Sequence, residues 1–248
     1  MAAAPSAEPI RIVPLRGAEA PAAAPAPRLV YEGGPLLAAV EVITIFWGSW
    51  WATPGGVELA GQLNGFFDFV LTSELIDQLA EYDVSGFAIG HGRRTGTTTV
   101  GSPEPSGSIE DVALRQELQE LVGGGTVPAV SANTLYFLYL PPGVAVEQGG
   151  SRSCQGFCGY HDAVDGKLFY AVMPYPGCAG CVGGLPVLGA LTTTSSHELC
   201  EAITDPVPGQ GWYDQVHGEI GDICAWQTKP LGSFTVQLEW SNRHGACV

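Results

Sequence analysis

The apolar positions mark out the framework. Residues 40–47 (VEVITIFW) are β-branched and apolar on both alternating faces, which predicts a strand covered on both sides. Leu59, Leu63, Phe66, Phe67, Val70 and Leu71 then recur at helical spacing, and Ser73 stands where it can cap a further turn carrying Leu75, Ile76 and Leu79. Residues 84–89 read as a short strand ending in glycine. Residues 90–108, dominated by Gly, Thr, Ser and Pro, read as loop. Ser108-x-x-Asp111 opens another helix, which the glycines at 123–125 close. Residues 134–140 (TLYFLYL) predict a strand stopped by Pro141-Pro142, and 168–173 a strand after the Asp165-Gly166 turn. Pro186 precedes LGALTTTSSHELCEAIT, a helix that Pro206 ends. Its Thr/Ser run has poor helix propensity, so packing on both sides must hold it. Residues 234–240 give a late strand.

This order predicts an α/β fold of two or three layers on a mostly parallel sheet. It is similar to the zincin metalloprotease plan, where an antiparallel edge strand borders the cleft and leads into the active-site helix. The expected fold is therefore zincin-like: a mixed, mostly parallel sheet with an active-site helix and a Cys-rich loop region. Pro and Ala crowd residues 1–28, which read as a flexible leader without the apolar core of a signal peptide; residues 29–248 read as one domain.

Composition narrows the function classes. With 10 basic against 25 acidic residues, a net charge of −15 and no basic run, nucleic acid is excluded as a partner. No apolar run approaches the roughly 20 residues that span a bilayer. The cysteines at 154, 158, 178, 181, 200, 224 and 247, with little Lys, point to an oxidising compartment, extracellular or in the cell envelope. The expected pairs are Cys154–Cys158, Cys178–Cys181 and Cys224–Cys247, with Cys200 free inside the helix. CxxxC…CxxC also admits a four-thiolate zinc knot.

The chemistry concentrates between His197 and Asp222. His197, Glu201 and Asp205 lie at i, i+4 and i+8 on one helix face, with Glu198 on its flank. HExxE differs from the HExxH of metalloproteases by one carboxylate in place of an imidazole, a change that zinc accepts. It also makes calcium or manganese easier to hold. An isolated HExxE is also what a solvated helix face looks like. Here the helix is otherwise apolar, and buried carboxylates need a cation or dense hydrogen bonding. Glu219 and Asp222 follow in GEIGDIC, where Gly218 and Gly221 let the backbone approach. The expected metal ligands are therefore His197, Glu201, Glu219 and Asp222, with Asp222 either joining the ion or holding the His197 ring by its second nitrogen, and with Glu198 as the general base. Asp205 lies about 12 Å from His197 along the helix axis and is expected to cap amides at the Pro206 turn instead.

EGGPLL with the following VITIFWGSW, CGYH at 158–161, the YAV…CAGC segment and the run HELCEAITDP…GWY…EIGDIC resemble bacterial members of the EXORDIUM, or phosphate-induced protein, family over about residues 31–247. The resemblance implies an extracellular protein; plant members are associated with cell expansion and growth signalling. Those relatives largely lack equivalents of HExxE but keep the CGYH histidine, so the resemblance implies a structural hydrogen bond for His161 rather than ligation. His217, beside Glu219, is a further candidate ligand, and His91 reads as a solvated loop residue. Trp47, Trp50 and Trp51 read as core and cleft wall.

Two functions compete. One is a metal-dependent hydrolase, a secreted zinc peptidase acting on peptide. The other is a non-catalytic extracellular EXORDIUM-type module that binds wall polymer or a partner, with calcium as a structural clamp.

Overall fold

A computed structural model describes residues 12–16 and 25–248. Its main sheet has six strands: β1 (Ile12–Pro14), β2 (Glu41–Trp47), β3 (Arg93–Val100), β4 (Thr134–Tyr139), β5 (Phe157–Val164) and β6 (Leu168–Met173). They lie in the order β1-β5-β6-β4-β2-β3. The pairs β3/β2, β2/β4 and β4/β6 are parallel, whereas β5 runs antiparallel to β6 and β1 antiparallel to β5. The fold is thus mixed α/β with a mostly parallel sheet.

Both faces of the sheet are covered, which is why its central strands are apolar throughout. Val42, Phe46, Phe137 and Ala171 pack on one face with α1 (Pro54–Val70) and α3 (Val187–Thr204). Ile43, Ile45, Leu138 and Val172 pack on the other with Leu114, Leu118 and Leu121 of α2 (Asp111–Gly123). The hairpin β7 (Thr228–Leu231) and β8 (Phe234–Gln237) lies along α3. Ser73 caps its turn by accepting the Leu75 N–H.

Four local expectations need correction. Residues 93–100 form the edge strand β3, where threonines alternate between exposed and half-buried positions; β-branched residues suit that surface, and the Gly content masked it. Residues 84–89 make only a turn with a single Val84–Phe87 bridge. Ser108 lies in a short strand, so α2 begins with Glu110 as its N-cap. Ile12–Pro14, inside the segment read as leader, adds strand β1. The rest of residues 1–28 lies largely outside the described part.

The disulfides are Cys154–Cys178, Cys158–Cys181 and Cys224–Cys247, and Cys200 is free and buried. The third pair and the free thiol match expectation; the first two run between the motifs rather than within them. Cys158 lies in extended β5 and Cys181 in the short helix Ala179–Val182, so the two motifs face each other with Cα atoms 5.5 and 5.7 Å apart. All four cysteines are disulfide-bonded, which leaves no thiolate for a zinc knot. Three disulfides, with no helix among the described residues long and apolar enough to cross a membrane, are compatible with an extracellular protein.

Candidate metal centre

Helix α3 is buried continuously from Ala190 to Thr204. Its hydroxyls hold it in place of propensity. Thr193 donates to the Gly189 carbonyl, Ser196 to that of Thr193, and Thr192 to Thr235 on β8. Strand β5 approaches the helix closely at Gly159, where a Cβ would come within 2.6 Å of Thr194 Cγ2. Alternation along β5 then sends Tyr160 to Asp111 on α2 and the next residue, His161, into the layer beneath α3. From the other side Gly221 presses against the helix, where a Cβ would meet His197 and Glu201 at 2.8–2.9 Å.

These approaches enclose an acidic centre. His197, Glu198, Glu201 and Glu219 are 0 % exposed and His161 1 %, and the Asp222 side chain is 6 % exposed. His197 Nε2 lies 2.9 Å from Glu201 Oε1 and 3.9 Å from Asp222 Oδ1. The Glu201 contact lies off the direction of the ring nitrogen and makes no hydrogen bond. His161 Nδ1 is hydrogen-bonded with Glu198 Oε2 at 3.0 Å and lies 3.5 Å from Glu201 Oε2. Its Nε2 faces the Asp205 carbonyl at 3.1 Å, with Glu219 Oε1 at 3.4 Å. Two three-donor groups result, His197/Glu201/Asp222 and His161/Glu198/Glu201, with the ligand atoms of each within 4.8 Å of one another.

The centre is short of positive charge. Among the described residues, its ion-pair partners are the two histidines alone. His197 Nε2, Glu198 Oε1, Glu201 Oε2 and both Glu219 oxygens are buried without a hydrogen-bond partner. Each such atom costs several kcal/mol unless something cationic meets it. The electrostatics express the same shortage. Burial opposes charging of His197, but Glu201, Glu198 and Asp222 prevail and raise its pKa to about 10. Burial also works against Glu201, yet the histidines pull it down to about 2. Burial pushes Glu198 up, and Glu219 and Asp222 well up, with Glu201 adding repulsion to all three. The residues fit a bound cation, because each group offers an imidazole nitrogen and carboxylate oxygens. Ligands about 2.1 Å from an ion stand roughly 3.0–3.4 Å apart, comparable with the nitrogen–oxygen spacings here.

Four expected site residues are brought together here: His197, Glu201 and Asp222 in one donor group, and Glu198 with Glu201 in the other. Glu219, expected as a ligand, faces the other nitrogen of His161 and joins neither group. Asp222 does not hold the second nitrogen of His197. Gln237 of β8 does, with its Nε2 2.8 Å from Nδ1. That amide also takes the Trp226 N–H on Oε1 and donates to the Gly221 carbonyl. Ligation through Nε2 puts the ring proton on Nδ1 and calls for Gln237 to accept it with Oε1, the opposite end of the amide from the one facing the ring here.

Asp205 caps as expected, accepting the amides of Gly209, Gln210 and Gly211. His161 does make the structural hydrogen bonds expected of it, but it makes them inside the centre. No local spacing could announce this, since it reaches α3 from a different strand. His217 pairs with Asp214 and exposed His91 with Asp77, both outside the groups. Trp51 is buried and half-buried Trp50 meets it and Tyr175 edge-on. Comparison of the chain with family models, curated proteins and solved structures finds no match.

Proposed function

We propose that the chain is a secreted-type metalloprotein in which His197, Glu201 and Asp222 hold a divalent ion that clamps α3 to the 219–222 turn. The observation that carries this reading is the set of buried, unpartnered imidazole and carboxylate atoms with no ion pair to Lys or Arg among the described residues. An imidazole in the donor set favours zinc, or manganese, over calcium. Full enclosure favours the clamp, since structural sites are closed whereas catalytic ones keep an open position. A non-catalytic module of this kind agrees with the EXORDIUM resemblance and with a wall polymer as its binding partner.

The second reading is a zinc peptidase on the zincin plan. It is favoured by Glu198, whose Oε1 has no partner and which directly follows His197. Peptide substrate then requires the 219–222 turn to move aside, leaving Glu198 to take a proton from a water molecule.

Elemental analysis of untagged protein purified without added metal tests the first reading. The expected result is bound zinc or manganese that His197→Ala sharply reduces. Wild-type protein that stays metal-free after incubation with both ions overturns it. Peptide cleavage by loaded protein, abolished in Glu198→Gln with the ion retained, would favour the peptidase.

A further inference from the structure

One ion in the His197 group leaves much of the centre unanswered. Glu198 and Glu219 do not belong to that group, and Glu198 Oε1, Glu201 Oε2 and both Glu219 oxygens have no hydrogen-bond partner. The geometry of Glu201 shows where the remainder points. Its Oε1 faces His197 and accepts the Asp222 N–H, while its Oε2 faces Nδ1 of His161, the imidazole of the other donor group. A carboxylate whose two oxygens serve two different imidazoles has the disposition of a bridge.

We propose that the centre is dinuclear, with a second divalent ion bound by His161, Glu198 and Glu201 and with Glu201 joining the two ions. The inference rests on the metal reading above and extends it.

Charge supports the pair. Glu198, Glu201, Glu219 and Asp222 carry four negative charges when ionised, in an interior where unpaired charge is costly. Of these four, one divalent ion leaves two uncompensated and two divalent ions leave none; buried Glu239, also unpartnered at both oxygens and close enough to act on His197 and Glu201, has Lys229 as its cationic neighbour. Donor chemistry is of the same kind: two imidazoles and three carboxylates, one of them shared, come close to the two His and four Glu that di-iron and di-manganese carboxylate proteins use. Both rings are also held from behind. Asp205 offers its carbonyl to Nε2 of His161, which directs Nδ1 at the second group; Gln237 faces Nδ1 of His197 and so turns Nε2 toward the first, its amide reversing on ligation so that Oε1 accepts the ring proton. The His161–Glu198 contact is a hydrogen bond when a proton occupies it and becomes a pair of ligands when an ion displaces that proton.

The test is stoichiometry. Metal-free full-length protein is loaded separately with zinc and manganese, freed of excess ion by gel filtration and counted by elemental analysis. The expected result is two ions per chain, with the manganese form showing the exchange-coupled electron paramagnetic resonance signal of a bridged pair. His161→Ala is expected to bind one ion and give an uncoupled signal, and Glu201→Gln to lose the coupling. The signal of the wild-type protein needs no variant to fold. A single ion at saturation, retained by His161→Ala, overturns the dinuclear centre and leaves the one-ion reading standing. No ion in the wild type overturns both.

Discussion

Helix α3 buries polar side chains along both of its halves, and the two halves solve the problem differently. In the first, Thr192, Thr193 and Ser196 donate to carbonyls of α3 itself or of β8, and Ser195 meets the Tyr139 hydroxyl at 2.7 Å. In the second, His197, Glu198 and Glu201 are equally buried, yet each has a polar atom with no partner. A hydroxyl both donates and accepts, so a helix interior rich in carbonyls can satisfy it. An ionised carboxylate only accepts, and the amides of a helix interior are already committed. The second half therefore needs positive charge from outside the helix, and two histidines supply too little of it.

Three measurements can break or sharpen this contrast. Chelation should have the largest effect. An ion held at about a thousand times its Kd contributes about 4 kcal/mol, so calorimetry of metal-loaded and stripped protein should differ by roughly 8–16 °C in Tm. If stripping leaves Tm unchanged, the two halves are equivalent and the contrast fails.

Asp205→Ala comes next. This carboxylate lies at the same end of α3 but is satisfied by three backbone amides. Its loss should cost about 3 kcal/mol in chemical denaturation, with metal content unchanged. Metal release in this variant alone would place the ion at the helix end.

The smallest effect belongs to the hydroxyl half. Ser195→Ala strands the fully buried Tyr139 hydroxyl and should cost about 2 kcal/mol, again without touching the metal.

Local pattern carried a definite share of this protein. The strands β2, β4 and β6 are recognisable because a strand covered on both faces must be apolar at every position. The face shared by His197, Glu201 and Asp205 follows from helical pitch alone, and the axial rise of about 12 Å from His197 to Asp205 keeps the last residue out of the donor group. The buried state of α3 follows from its apolar neighbours. Each of these depends on residues within a few positions of one another, where backbone geometry dictates the outcome.

Other features were decided by the tertiary structure because they join segments that the chain keeps far apart. His161 enters the centre from β5 and Gln237 from β8, 36 residues before His197 and 40 after it, placed there by strand pairing and by the close approach at Gly159 and Gly221. The crosswise disulfides depend on how β5 faces the 179–182 turn, since a disulfide forms where Cβ atoms converge and not where cysteines are near in sequence. The preference of Glu219 for the back of His161 has the same origin. Sequence alone determined which residues line up as imidazole and carboxylates on α3; the packing of β5, β8 and the 219–222 turn around that helix decided their partners, because solvation and charge in a buried centre depend on what stands within about 4 Å in space.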